Sequence, residues 1–318
     1  MYDRQQQLNA ISFPTISNLM WQSCPYKLVK NILQIRYQLL WTGSKALQIS
    51  RPYKTTAGVS TDGLCHICPL SHTHGRAPDT SGHILGSCRH PELKACYIAR
   101  HNKALVRIHS AFLLGSKASS MMILDATSRK KLPTGVYHNR IPQWMLPSVT
   151  PAILDALRPD ILLLDGFPLV EAPPLSVLNL SPAHLRRIQK RCTLVVAELG
   201  YTFEPLYPDR LTEKRQQHLY LITLLRTAGW NIAFNLADLD YVHFVLLGTS
   251  GTIFCNAHST LISLGILPSQ VYKVLSSLHT HAVQSAFSIV NLRRRLESSV
   301  FFSDPPLHDQ PTVPADPP

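Results

Sequence analysis

Four residues in a short segment have the types and spacing of a zinc site. Cys65 and Cys68 form a C-x2-C pair, and His83 and Cys88 form an H-x4-C pair, with fourteen residues between the two pairs. Thiolate and imidazole groups on two tight turns supply the soft, tetrahedral ligands that zinc prefers. Because all four ligands come from the protein, we expect a structural zinc ion. Four nearby histidines are alternatives to His83 as the fourth ligand: His66, His72, His74 and His90.

A second set of residues has the types that metal-dependent phosphodiester cleavage requires. Asp160 directly precedes an apolar run, Ile161–Asp165, and Glu198 lies near the end of another, Cys192–Leu199. If these runs are neighbouring strands, both carboxylates can bind one divalent cation, and hard oxygen ligands favour magnesium. Lys214 in the following segment can orient or deprotonate the attacking water. The alternative is that the acids and the lysine only form ordinary ion pairs.

The elements that must position these residues alternate between short and long apolar patterns. Strands are predicted at Met121–Asp125, Ile161–Asp165, Cys192–Leu199 and Tyr241–Leu247, and helices at Arg107–Leu114 and Thr212–Ala228. The resulting order is helix, three strands, helix, strand, which is an α/β fold. Pro159 suits the first position of a strand, where the missing amide hydrogen does little harm.

Composition divides the chain into four segments. Residues 1–57 contain one amphipathic helical pattern, Tyr26–Trp41, that cannot fold alone, and residues 58–102 contain the predicted zinc site. Residues 103–297 contain the α/β pattern and end in a helical segment that includes Pro268–Val290. Residues 298–318 form a proline-rich tail that we expect to be disordered.

Charge points to a polyanionic partner. The 31 lysines and arginines exceed the 19 acids and give a net charge of +12, and nucleic acid is the commonest partner of such a chain. Basic residues cluster at Arg186, Arg187, Lys190 and Arg191, and again at Arg293–Arg295. We expect both clusters at the surface, where they can contact a DNA backbone.

Targeting signals and disulfides are not expected. The chain lacks an apolar run of about 18 residues and a signal-peptide pattern at its beginning. The odd cysteine count, seven, together with the histidine-rich segment, favours metal binding in a reducing compartment over a disulfide framework. We therefore expect an intracellular protein with no membrane partner.

The order of the motifs resembles a known family. The segments TDGLCHICP, SGHILGSCRHPELKACYIARHN, LRPDILLLDG, LVVAELGYTFE and LTEKRQQHLYLI follow one another as in the C-terminal region of early-branching non-long-terminal-repeat retrotransposon proteins. In that family a CCHC zinc knuckle leads into a restriction-like endonuclease of the PD-(D/E)XK class. The resemblance covers roughly residues 35–297 and includes RYQLLWTG, which is similar to the linker after the family's reverse transcriptase.

The resemblance implies roles for individual residues. It makes Cys65, Cys68, His83 and Cys88 the zinc ligands of the knuckle. It makes Asp160 and Glu198 the acids that bind Mg²⁺ or Mn²⁺, and Lys214 the catalytic lysine. Arg100, His101 and Asn102 match an Arg-His-Asn signature, and His218 falls where many relatives have tyrosine. From this match and from the basic clusters we expect the following residues to bind nucleic acid: Arg100, His101, Arg158, Arg187 and Lys190.

The resemblance also implies a function: nicking of target DNA, so that the released 3′ hydroxyl primes reverse transcription. It implies a restriction-endonuclease-like core preceded by a small zinc knuckle, element RNA as a further ligand, an upstream reverse transcriptase domain, and a nuclear location in a eukaryotic host. The chain departs from the family in two ways. Gly200 stands where the usual pattern has lysine, and no Tyr/Phe-x-Asp-Asp motif of a polymerase occurs. It is therefore similar to the end of a longer polyprotein, to a fragment or to a decayed copy. The alternatives to a nuclease are a catalytically inactive, zinc-containing nucleic-acid-binding module and a decayed remnant of an element.

Overall fold

A mixed six-stranded sheet lies at the centre of the structure. The computed structural model describes residues 10–11, 30, 34–35, 40, 42–49, 53–55, 58–60, 62–68, 75–125 and 132–299. The strands are β1 (Ala10–Ile11), β2 (Tyr53–Thr55), β3 (Gly58–Ser60), β4 (Ser120–Leu124), β5 (Ile161–Pro168), β6 (Thr193–Thr202), β7 (Val242–Gly248) and β8 (Ile253–Phe254). The sheet has the order β1-β8-β7-β6-β5-β4, while β2 and β3 pair separately. Strands β6 and β7 are parallel, and the other neighbours are antiparallel.

Helices cover both faces of this sheet. They are α1 (Gly43–Gln48), α2 (Pro91–Phe112), α3 (Pro151–Ala156), α4 (Pro182–Arg191), α5 (Tyr207–Thr227), α6 (Asn256–Ser263) and α7 (Pro268–Ser299). Proline occupies the first turn of α2, α3 and α4, where its fixed φ suits the helix and no amide donor is lost. Ser181 also caps α4, because its hydroxyl accepts a hydrogen bond from the amide of His184.

The core consists of one apolar layer on each side of the sheet. Residues of α2, α6 and α7 pack on one face, and residues of α4 and α5 pack on the other together with Trp144 and Trp230. The continuous apolar run at the start of β5 is explained by this arrangement, because a central strand covered on both faces buries every side chain. A third apolar cluster joins the Cys-His segment to the end of α7.

The predicted mixed α/β class and element order are confirmed. Elements α2, β4, β5, β6, α5 and β7 follow the order helix, three strands, helix, strand, with α3 and α4 added in the connections. The first helix was predicted too short: it begins at Pro91, not Arg107. In its first half only Leu93 and Arg100 are buried, so apolar periodicity did not detect this part of the helix.

Two predictions concern segments that the structure describes little or not at all. Most of the helix predicted over Tyr26–Trp41 lies outside the described residues, although Lys30, Gln34 and Ile35 are helical. The proline-rich segment from residue 304 onward also lies outside them. Within the described ranges, every helix is too short or too polar to cross a membrane.

Candidate functional site

Asp160 and Glu198 lie opposite each other on neighbouring strands. Ile161 pairs with Ala197 in the antiparallel register of β5 and β6, so Asp160 and Glu198 form the next pair, with side chains on the same face. Each carboxylate reaches the backbone of the other strand. Asp160 Oδ2 accepts from the amide of Leu199 at 2.8 Å, and Glu198 Oε2 accepts from the amide of Asp160 at 3.4 Å. The structure therefore brings together the two acids that the sequence singled out.

Helix α5 contributes two basic side chains to Glu198. Lys214 and His218 are one helical turn apart and both are buried. Lys214 Nζ donates a hydrogen bond to Glu198 Oε1, and His218 Nε2 lies 3.0 Å from Glu198 Oε2. Burial raises the pKa of Glu198, but His218 and Lys214 outweigh it and lower the pKa to about 2. Glu198 is consequently ionised at neutral pH.

His101 reaches Asp160 from α2 on the opposite side. Its Nε2 lies 3.1 Å from Asp160 Oδ2. Burial lowers the pKa of His101, but the contact with Asp160 raises it above its ordinary value. Burial and the neighbouring Glu198 raise the pKa of Asp160, and His101 opposes that shift. His101, which we expected to contact nucleic acid, thus holds one of the candidate catalytic acids.

Asp125 is a third acid that the sequence analysis did not select. Leu124 pairs with Ile161, so Asp125 lies opposite Asp160 and donates its amide hydrogen to the Asp160 carbonyl at 2.9 Å. Burial raises the pKa of Asp125, and Arg158, whose Nη1 lies 3.9 Å away, opposes the shift. Asp125, Asp160 and Glu198 therefore form a row across three strands. Asp125 ends a predicted strand, Met121–Asp125, but only the antiparallel register seen in the structure places it beside Asp160.

Gly200 departs from the usual nuclease pattern for a packing reason. It lies two residues after Glu198, where the pattern has lysine. A Cβ atom at Gly200 would lie 2.7 Å from Cδ2 of Leu246 on the parallel strand β7, and Leu246 is fully buried. A side chain at this position would displace the core, whereas Lys214 reaches Glu198 from the helix that packs above the strand.

The residues expected to bind nucleic acid fall into different environments. Arg187 and Lys190 are exposed on α4 while Ile188 between them is buried, so they form a basic face as predicted. Arg158 is partly exposed beside Asp125, and its Nε donates to the carbonyl of Asp155 at 2.9 Å.

Arg100 does not match its expected role. It is 4% exposed, and its guanidinium stacks on the ring of Tyr201, 4.2 Å from the centroid, and near Tyr97. A phosphate cannot reach it in this arrangement, because α2 turns this position toward the packed interior. His101, the next residue of the Arg-His-Asn signature, has a different environment, because its side chain contacts Asp160.

The four predicted zinc ligands converge. One ligand atom each from Cys65, Cys68, His83 and Cys88 lies within 4.8 Å of the other three, and all four residues are buried. Cys68 Sγ lies 3.2 Å from His83 Nε2 and 3.5 Å from Cys88 Sγ, and Cys65 and Cys88 sulfurs are 3.9 Å apart. A tetrahedron of zinc–sulfur bonds has edges of about 3.7 Å. This cluster could bind a metal ion such as zinc.

The alternative histidines have other environments where the structure describes them. His66 contacts Asp62 and Arg76, and His90 precedes the first residue of α2. His72 and His74 lie outside the described residues. Among the histidines that the structure describes, His83 is therefore the one that completes the cluster. It lies in a helical turn, His83–Ser87, which closes with a hydrogen bond from the Cys88 amide to the His83 carbonyl.

Comparisons with known proteins add no further constraint. No family model matches the chain, and no curated protein matches it.

Proposed function

We propose that this chain is a metal-dependent endonuclease that nicks DNA. Its active site would consist of Asp160, Glu198 and Lys214. The observation that carries the proposal is that Lys214 of α5 contacts Glu198 of β6, and that Glu198 lies opposite Asp160, the residue just before β5. Two carboxylates and a lysine at one end of a sheet are the groups that phosphodiester hydrolysis requires. The order of α2, β4, β5, β6, α5 and β7 is the one expected of a restriction-like core.

The residues of the site have separable roles in this proposal. Asp160 and Glu198 would hold Mg²⁺ or Mn²⁺, which supplies Lewis acidity and a lowered pKa of bound water. Lys214 positions the attacking water and stabilises the charge that develops on the phosphate. His101 and His218 fix the orientations of the two carboxylates. Asp125 adds negative charge beside Asp160 and favours cation binding there.

The wider biological proposal follows from the family resemblance. A nick that leaves a 3′ hydroxyl would prime reverse transcription by a polymerase domain upstream in the full element. DNA is the target in this proposal, element RNA is a further ligand, and the site of action is the nucleus of a eukaryotic host. The basic face of α4 and the net charge of +12 support a polyanionic substrate.

Asp160→Asn tests the proposal, because asparagine has nearly the same size and shape as aspartate but carries no charge. We expect the purified chain, with zinc and with Mg²⁺ or Mn²⁺, to nick supercoiled plasmid, and the variant to lose at least 100-fold in rate, because an amide binds divalent cations poorly. Asp155→Asn is the matched control, since Asp155 is exposed on α3 and pairs with Arg140. Equal nicking by the parent and Asp160→Asn would refute the assignment.

A nucleic-acid-binding module without catalysis is the second candidate. The pairing of both Glu198 oxygens with Lys214 and His218 favours it, because these contacts already neutralise the acid. In a decayed element this arrangement would simply stabilise the fold. Isothermal titration separates the two candidates: the endonuclease requires Mg²⁺ or Mn²⁺ binding that Asp160→Asn weakens, whereas the binding module requires DNA binding alone.

A further inference from the structure

Arg293 connects the end of α7 to the cysteine–histidine cluster. It was expected at the surface but is 3% exposed. Its Nη1 donates to Cys65 Sγ at 2.9 Å, and its Nη2 lies 3.2 Å from Asp79 Oδ1 and 2.7 Å from Glu297 Oε1. Cys65 and Arg293 are 228 residues apart in the chain. A single guanidinium thus contacts a predicted metal ligand and two acids at once.

The charges of this cluster require a cation. Three thiolates and a neutral imidazole around Zn²⁺ leave one excess negative charge. Asp79 is completely buried beside them and adds another, while its Oδ2 accepts from the amide of Gly43 at 2.8 Å. Burying anions without a partner is strongly unfavourable. Arg293 provides the positive charge that these buried anions need.

The same region is packed against the long helices. Tyr97 of α2 donates its hydroxyl hydrogen to the carbonyl of Ile84, next to His83. Ala286, Ile289 and Val290 of α7 belong to the apolar cluster that also contains Ile84 and Leu85. Farther along, His281 Nε2 of α7 lies 3.0 Å from the carbonyl oxygen of Arg100 on α2. Helix α2 then continues directly to His101 at the candidate acids.

We propose that Arg293 is a positioning residue of the metal site, and that metal retention and docking of the end of α7 depend on each other. Outer contacts to ligating groups hold ligands in place and adjust metal affinity. Here that contact comes from the opposite end of the chain, so the knuckle is a fixed part of the α/β domain and not a tethered module. The inference rests on metal binding by the four ligands and is independent of nuclease activity.

Arg293→Met in the full chain tests this inference. In competition with a chromogenic chelator, we expect the zinc affinity of this variant to be about 10- to 100-fold lower than that of the parent. The zinc affinity of Arg293→Lys, which keeps the charge but loses the two-pronged contact, should be intermediate. Arg295→Met is the matched control, because Arg295 is exposed on the same helix, and should behave as the parent. Zinc affinity of Arg293→Met equal to that of the parent would overturn the proposal.

Hydrogen exchange of the parent protein tests the converse without any substitution. Removal of zinc should increase amide exchange at the end of α7, residues 284–297, and leave α4 unchanged, because α4 lies in the other core layer. Unchanged exchange at residues 284–297 would also overturn the proposal. A parent that binds no zinc would overturn it as well, and that result would not affect the nuclease proposal.

Discussion

Individual residues around Glu198 show how the site departs from the usual pattern. Gly200 lies where lysine is expected, yet Lys214 and His218 deliver two basic groups to Glu198 from α5. The sequence singled out Asp160, Glu198 and Lys214 by their places beside predicted strands and in a predicted helix, and by the order of motifs in the family resemblance. It did not identify His218 as a partner of Glu198, since that contact depends on how α5 crosses β6.

Gly200→Ala tests the packing explanation. The added Cβ would lie 2.7 Å from Leu246 Cδ2 in the buried core, so we expect the free energy of unfolding to fall by about 1–3 kcal/mol. Gly75→Ala is the control, because a Cβ there meets nothing within 4 Å. Chemical denaturation measures both variants. A Gly200→Ala protein as stable as the parent would mean that the Leu246 side chain moves aside without cost, and the packing explanation would fail.

His109 gives a prediction for the pH dependence of stability. Burial alone lowers its pKa below the ordinary value of 6.5, so below pH 6.5 the unfolded chain binds a proton that the folded protein excludes. The contribution of His109 to stability is therefore complete above pH 6.5 and declines as the pH falls below it. Denaturation between pH 7.5 and about 5 should show a smaller loss for His109→Leu than for the parent. If the unfolding free energies of the parent and of His109→Leu changed equally with pH, the imidazole of His109 would not be buried in its neutral form.

Whole elements were predicted better when their apolar pattern was continuous. Strand β5 was recognised from Ile161–Leu164, because a central strand buries both faces, and β6 and β7 were recognised for the same reason. Helix α2 was recognised only in its second half. The row formed by Asp125, Asp160 and Glu198 required strand register, which a single sequence specifies weakly before the neighbours of each strand are known.

The basic face of α4, formed by Arg187 and Lys190, is expected to bind the DNA backbone. Replacing Arg187 and Lys190 by alanine should weaken DNA binding, and should reduce the slope of log affinity against log salt by about one per lost phosphate contact. Arg191→Ala is the control, because Arg191 lies on the same helix but already pairs with Glu171, which follows β5. Fluorescence anisotropy at several salt concentrations measures the slopes. An unchanged slope in the double variant would exclude this face from the DNA interface.

In the whole molecule, the Cys-His segment and the α/β domain share one packed region. The sequence suggested separate segments, 58–102 and 103–297, because composition changes between them. The structure joins them through Arg293 and through α2, which starts beside Cys88 and carries His101 to Asp160. The contact between Arg293 and Cys65 spans 228 residues and leaves no local pattern in the sequence. Arg293 also lies beside Arg294 and Arg295, and such a run of arginines on a helix is typical of a solvent-exposed face.

In the proposed nuclease Lys214 takes part in catalysis, and single-turnover nicking of supercoiled plasmid measures its contribution. With Mg²⁺ and saturating protein, the parent should nick the plasmid, and Lys214→Met should do so at least 100-fold more slowly while binding DNA equally well. Glu213→Gln, an exposed neighbour on the same helix, should retain the parent's rate. If Lys214→Met cuts as fast as the parent, or if the parent binds DNA but never cuts it, the site formed by Asp160, Glu198 and Lys214 is not an endonuclease centre.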